Sequence, residues 1–151
     1  MDKQTEANVH RMVCQYLKVR YKDVIFASDF AAGLKLTRYQ AAMQKIHKSH
    51  RGYPDLFIAQ PIGQWSGLYL ELKREGVIVR LQNGSLTKNP HIQEQWDVIT
   101  KLRLKGYCAN FAVGFDEARR IIDWYLGGAQ GDFGLLPPTP KTTKKDKELP
   151  F

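Results

Sequence analysis

The sequence has no apolar run long enough to cross a bilayer, which would need about 20 consecutive apolar residues. Its first residues also lack the apolar stretch of a secretory signal peptide. Cysteine is scarce, since the 151 residues include only two, Cys14 and Cys108, without the spacing of a metal site. We therefore expect a single water-exposed domain in a reducing cytoplasm, with both cysteines as buried free thiols.

Acidic residues are also in short supply, since 15 Asp and Glu face 23 Lys and Arg and give a net charge of +8. Such a surplus is typical of proteins that bind a polyanion, and nucleic acid is the first candidate. No acidic residue lies between Asp29 and Asp55. This interval is either a phosphate-binding surface or an ordinary solvated helix face, and the lack of acidic partners favours phosphate binding. Its basic residues are Lys35, Arg38, Lys45, Lys48 and Arg51, accompanied by His47 and His50.

Four helices and four strands are predicted from apolar periodicity and from capping residues. Thr37 and Gln40 form a capping box, Asn89 and Pro90 suit a helix start, and Phe115-Asp116 is expected to cap the last helix. Asn83-Gly84 predicts a type I′ turn in a β-hairpin over residues 76–90. The predicted helices cover residues 4–21, 38–48, 90–105 and 116–126, and the predicted strands cover 24–28, 52–59, 67–73 and 107–113.

This element order predicts one α/β domain over residues 1–127, with a small mixed sheet flanked by helices. From Gly128 onward the apolar pattern is lost, and residues 128–151 are rich in proline and lysine. We expect this segment to be a disordered basic tail.

Two of the predicted strands carry groups suited to metal-assisted hydrolysis. In the run 67–73 the side chains alternate, so that Glu71 and Lys73 share one face with Tyr69. If this strand pairs antiparallel with the run 52–59, Asp55 and Glu71 meet near one end of the pair. Two carboxylates beside a lysine suit a hydrolytic Mg²⁺ site. Taken singly, the Glu-Lys pair would fit a solvated strand face and the Asp a turn.

Two further polar residues fall on helix stripes that should be buried. Glu6 lies in line with Val13 and Leu17, and Gln95 lies between Ile92 and Ile99. Glu6 either has a partner in the fold or complements the helix dipole at a solvated helix end. Gln95 either serves a polar site or bonds local backbone.

The ordered set Gly-x-Pro-Asp, Glu-x-Lys and a helix with Gln resembles the PD-(D/E)xK nuclease superfamily. It is most similar to the VRR-NUC family, in particular its small stand-alone members of phages and bacteria. The similarity extends from the first predicted helix to Tyr125. The residues that carry it are Glu6, Gly52, Pro54, Asp55, Glu71, Lys73 and Gln95.

The resemblance implies a restriction-endonuclease-like fold and a role for each site residue. Asp55, Glu71, the backbone carbonyl of Leu72 and Glu6 would hold Mg²⁺ or Mn²⁺. Lys73 would orient the attacking water and stabilise the charge on the phosphate, and Gln95 would position Lys73 or the water. The residues expected to contact DNA are Lys35, Arg38, Lys45, Lys48 and Arg51, together with Arg74 and His91.

The activity implied is that of a metal-dependent, structure-selective DNA endonuclease. Branched DNA such as a four-way junction is the expected substrate, and its symmetry favours a homodimer. Three alternatives remain open from the sequence: a DNA-binding module without catalysis, a restriction-type enzyme, and an RNA-directed nuclease.

Overall fold

A four-stranded mixed sheet organises the computed structural model, which describes residues 5–29, 34–131 and 133. The strands lie in the order β1 (Phe26–Ser28), β2 (Leu56–Ile58), β3 (Leu68–Lys73) and β4 (Cys108–Val113). β1, β2 and β3 pair antiparallel, whereas β3 and β4 pair parallel. The helices are α1 (Glu6–Arg20), α2 (Arg38–His47), α3 (Pro90–Leu104) and α4 (Gly114–Leu126). The predicted α/β class is confirmed.

The alternation of side chains along β3 divides the core into two layers. Leu68, Leu70 and Leu72 pack with the apolar stripes of α1 and α4 on one face of the sheet. On the other face, Tyr69 packs with the apolar stripe of α3. Glu71 has the same parity as Tyr69, and it therefore belongs to the α3 layer.

The helix α1 is held against α4 by polar as well as apolar contacts. The hydroxyls of Tyr16 and Tyr21 both donate to Oδ1 of Asp123, each at 2.6 Å. Burial and these bonds to a carboxylate raise the pKa of both tyrosines, so the hydroxyls stay protonated donors at neutral pH. The last turn of α1 is thus fixed to the last helix of the domain.

Helix starts agree with the predicted caps except at α4. Thr37 and Gln40 form the full capping box of α2, and Asn89 caps α3 through the amides of His91 and Ile92. Asp116 was expected to cap α4, but the helix begins at Gly114 and Asp116 lies in its first turn. The reason is that Gly114, at φ 80°, lets the chain turn directly from β4 into α4 without a polar cap.

The segment 76–90 reverses at Asn83-Gly84 as predicted, but the turn is of another type. The amide of Leu81 donates to Ser85 and that of Gly84 donates to Leu81, which encloses a three-residue loop. The expected type I′ turn is wrong, because it needs positive φ at both central residues and only Gly84 of the pair has it. A single bridge joins Arg80 to Leu86, and Val79 is buried in the α3 layer.

Beyond α4 the described residues continue along its surface. The indole Nε1 of Trp124 donates to the carbonyl of Gln130 at 3.0 Å, and the ring of Phe133 lies 5.7 Å from that of Trp124. The domain boundary near residue 127 stays a prediction. The remainder of the predicted basic tail, residues 134–151, lies outside the described residues.

Both cysteines are free, and Cys108 is buried whereas Cys14 is half-buried. None of the helices in the described part of the chain combines the length and the apolar character that crossing a membrane requires.

Candidate active site

The antiparallel pairing of β2 and β3 brings the two predicted carboxylates together. Leu56 pairs with Leu70, so the register carried one residue further sets Asp55 opposite Glu71. Oδ2 of Asp55 also accepts a hydrogen bond from the backbone amide of Leu72 at 3.2 Å. This bond fixes the Asp55 side chain against β3, where the sequence pattern had predicted that the two acids would meet.

Glu71 and Lys73 are buried, with exposures of 2% and 5%. The Nζ of Lys73 lies 3.3 Å from Oε1 of Glu71. Burial raises the pKa of Glu71 well above its usual range, and the neighbouring charge of Asp55 raises it further, while Lys73 opposes the shift. The alternative of a solvated strand pair is therefore wrong, because the side chains of both Glu71 and Lys73 are buried.

Gln95 reaches the same cluster from α3. Its Nε2 donates to Oε1 of Glu71 at 2.6 Å and lies 3.2 Å from Nε2 of His91. Gln95 is buried, whereas Gln93 is exposed and donates to the carbonyl of Thr87. The helix phase predicted from the apolar stripe is confirmed, and Gln95 is the glutamine at the cluster.

The glycine of the Gly-x-Pro-Asp motif has a packing role. Gly52 has φ 77°, and a Cβ at this position would lie 2.9 Å from the backbone N and Cα of Gln95. Side chains larger than hydrogen are therefore excluded where the loop before β2 meets α3. This close approach holds Asp55 and Gln95 at a fixed separation.

Glu6 joins Asp55 together with a residue that the sequence patterns did not single out, His10. One ligand atom from each of Glu6, His10 and Asp55 lies within 4.8 Å of the other two. His10 is buried, its Nδ1 is 2.9 Å from Oγ of Ser28, and its Nε2 is 3.5 Å from Oδ2 of Asp55. A signal was present, because His10 follows Glu6 by four residues and so shares its helix face.

Several buried polar atoms of this cluster have no hydrogen-bond partner among the described residues. They are Nε2 of His10, Oε2 of Glu71 and Oε1 of Gln95, three of the four such side-chain atoms in that part of the chain. Unpaired buried polar atoms are uncommon in folded proteins. Because carboxylate oxygens and imidazole nitrogen are ligands of divalent cations, the residues present fit a metal ion.

Comparison with known proteins identifies the fold. No family model and no curated protein matches this sequence. A solved structure of a VRR_NUC domain protein is similar, with 26% identity, coverage of 91% of this chain and 99% of that chain, and a TM-score of 0.59. This similarity supports the resemblance to the VRR-NUC family that the motif set indicated. The restriction-endonuclease-like fold expected from the motif set is confirmed with it.

The domain has an open cleft of about 950 Å³ at the cluster. Glu6, Asp55 and Glu71 are among the residues that line it. Basic and polar side chains that also line it include Lys45, Lys48, Arg51, His50 and His91. A nuclease-type domain with acids in a cleft that also has basic walls is suited to a phosphodiester backbone.

The predicted DNA-binding residues divide into two groups in this fold. Lys45, Lys48, Arg51 and His91 line the cleft, although Lys48 is ion-paired with Asp29. The other group, which does not line it, consists of Lys35, Arg38 and Arg74, all exposed. The positive charge of the interval between Asp29 and Asp55 is therefore partly neutralised, because the carboxylate of Asp29 pairs with Lys48.

Proposed function

We propose that this VRR-NUC protein is a metal-dependent endonuclease that hydrolyses phosphodiester bonds in structured DNA. One observation carries the proposal: Asp55, Glu71 and Gln95 line a cleft that also has basic walls, and the buried Lys73 contacts Glu71. A module that only binds DNA would have no use for acids at that position, because they repel phosphate unless a cation intervenes.

The proposed metal ligands are Asp55, Glu71, the backbone carbonyl of Leu72 and Glu6. A bound Mg²⁺ or Mn²⁺ would supply an activated water and neutralise charge on the phosphate. The raised pKa of Glu71 supports this assignment, since two neighbouring buried acids are unfavourable unless positive charge offsets them.

The two protein contacts of Glu71 leave one oxygen available for metal binding. Lys73 and Gln95 both contact Oε1, at 3.3 Å and 2.6 Å, whereas Oε2 has no hydrogen-bond partner among the described residues. Gln95 is thus a positioning residue that orients Glu71. Lys73 is a fixed buried cation, and we assign to it the stabilisation of charge that develops on the phosphate.

The proposed substrate is branched DNA, in particular a four-way junction, and the proposed assembly is a homodimer. Both follow from the family resemblance and from the symmetry of a junction, which offers two equivalent cleavage points. The basic side chains Lys45 and Arg51 in the cleft agree with DNA as the partner.

The test is cleavage of a panel of labelled substrates: junction, flap, plain duplex and RNA, each with Mg²⁺, Mn²⁺ or EDTA. We expect junction cleavage with either metal and none in EDTA. Asp55→Asn should abolish cleavage while junction binding survives or tightens, because a repelling charge is removed. Asp116→Asn is the matched control, since Asp116 is exposed on α4 and does not line the cleft.

Cleavage in EDTA, or near-normal cleavage by the Asp55→Asn protein, would contradict the metal assignment. Junction binding by the wild type without cleavage of any substrate would instead identify a binding module. Preferential cleavage of plain duplex or RNA would support metal-dependent hydrolysis but contradict branched DNA as the substrate. The dimer is tested separately by sedimentation of the protein with and without the junction.

A further inference from the structure

We propose that His10 is a ligand of the metal in this site and that its nitrogen makes the site prefer Mn²⁺ to Mg²⁺. The inference rests on the proposed function, because it adds a ligand to the same metal site. It goes further by assigning a role to a residue outside the motif set and by predicting which cation the protein selects.

The position of His10 is that of a ligand and not of a surface group. The side chain is buried at 6% exposure, and its Nε2 is directed toward Asp55, with Glu6 on the same helix face. The nearest ligand atoms of the three residues lie within 4.8 Å of one another. Opposite ligands of one cation are about 4 Å apart at bond lengths near 2.1 Å, so side-chain adjustments of less than about 1 Å would bring all three atoms onto one cation.

The surroundings of the ring favour a free lone pair on Nε2. Nδ1 is 2.9 Å from Oγ of Ser28, so that an Nδ1–H group can donate to this hydroxyl. A metal-binding histidine typically donates its other ring nitrogen in this way, which fixes both ring orientation and tautomer. Nε2 has no hydrogen-bond partner among the described residues, and its 3.5 Å separation from Asp55 is long for a direct bond.

The chemical types of the ligands then determine whether the site prefers Mn²⁺ or Mg²⁺. Glu6 and Asp55 offer carboxylate oxygens, which suit Mg²⁺ and Mn²⁺ alike. An imidazole nitrogen suits transition metals, whereas Mg²⁺ is bound by oxygen and retains several waters. The addition of one imidazole to the oxygen ligands of the proposed site therefore favours Mn²⁺ over Mg²⁺.

A spectroscopic measurement tests the ligand directly. Pulsed electron paramagnetic resonance of Mn²⁺ bound to the wild-type protein should show coupling to ¹⁴N. Growth with ¹⁵N-labelled histidine should replace this coupling with that of ¹⁵N, which assigns it to an imidazole without any substitution. His10→Gln should abolish the coupling, and His47→Gln should retain it, because His47 is exposed at the end of α2 outside the cleft lining.

Calorimetric titration with Mn²⁺ and Mg²⁺ gives the selectivity. We expect His10→Gln to weaken Mn²⁺ binding by at least about tenfold and Mg²⁺ binding by less, so that the preference shrinks. Bound Mn²⁺ without histidine coupling, or an unchanged Mn²⁺ affinity in a folded His10→Gln protein, overturns this inference and leaves the proposed function intact. Failure of the wild type to bind either cation overturns both.

Discussion

At the level of single residues, the two oxygens of Glu71 have different surroundings. Oε1 is contacted by Lys73 and Gln95, while Oε2 has no partner among the described residues. A carboxylate held in this way keeps one orientation, and its second oxygen stays buried without a protein partner among the described residues. The role of Gln95 therefore depends on a single short hydrogen bond to an acid.

Replacement of Gln95 tests this dependence. Gln95→Ala should lower the single-turnover cleavage rate by roughly 10- to 100-fold, the usual range for a group that orients a ligand. Gln93→Ala is the matched control, because Gln93 is exposed two residues away and contacts only the carbonyl of Thr87 among the described contacts. Equal losses in both variants would show that the effect comes from the helix and not from Glu71.

The charge of Glu71 should have a cost in the metal-free protein. Burial and the neighbouring charge of Asp55 disfavour its ionised form, whereas Lys73 and the hydrogen bond from Gln95 favour it. Glu71→Gln retains the shape and an oxygen acceptor for Lys73 but removes the charge. We expect the variant to be inactive and yet more stable by about 1 kcal/mol in EDTA, since removal of such functional strain is commonly stabilising.

The measurement is urea unfolding at neutral pH for wild type and Glu71→Gln. Glu75→Gln is the control, because Glu75 is exposed just after β3 and the same substitution there should leave the midpoint nearly unchanged. A lower midpoint for Glu71→Gln would mean that the ion pair with Lys73 outweighs burial and the repulsion from Asp55.

At the level of elements, the loop before β2 and the helix α3 meet at Gly52. Gly52→Ala should push the loop away from Gln95, because the added Cβ would lie 2.9 Å from backbone atoms that cannot yield cheaply. We expect a loss of about 1–3 kcal/mol in stability and a loss of cleavage.

Gly84→Ala separates the effect of backbone strain at a positive φ from the effect of the steric contact with Gln95. Gly84 has φ 81°, close to that of Gly52, but a Cβ there would meet nothing within 4 Å. This variant should lose stability from backbone strain and retain cleavage. Loss of cleavage in both variants, measured well below their unfolding midpoints, would mean that the contact between Gly52 and Gln95 does not position the site.

A second prediction at the level of elements concerns the basic residues in and around α2. Lys45 and Arg51 line the cleft, whereas Lys35 and Arg38 are exposed outside its lining. Ala at both Lys45 and Arg51 should weaken junction binding and reduce the salt dependence by roughly two units of slope. The double variant of Lys35 and Arg38 has the same change in net charge and should have the smaller effect. Identical slopes of the salt dependence for the two double variants would mean that DNA does not bind along the cleft.

For the whole molecule, the sequence predicts the elements whose signals are local. The capping box at Thr37, the antiparallel approach of Asp55 to Glu71 and the inward phase of Gln95 all follow from periodicity and spacing. His10 escapes this reasoning because its contacts come from β1 and from the loop before β2, which only tertiary folding brings to α1. The same holds for Lys48, whose partner Asp29 precedes the basic interval in the chain.

Local sequence signals also give wrong predictions where the backbone geometry of a glycine determines the path of the chain. Asn83-Gly84 favours a type I′ turn, yet the chain forms a three-residue loop in which Gly84 alone has positive φ. Asp116 suits a cap, yet Gly114 starts α4 earlier. In both cases a glycine permits more than one backbone path, and the packing of the neighbouring strand or bridge selects between them.

The attachment of α1 to α4 has a consequence for how the protein is made. Glu6 and His10 belong to α1, which is synthesised before α4, but the apolar stripe of α1 packs against α4, and Tyr16 and Tyr21 bond to Asp123. A nascent chain that ends before α4 lacks these contacts. Glu6 and His10 therefore gain their full support only after α4 has been made, so that the candidate metal site is completed late in the synthesis of this domain.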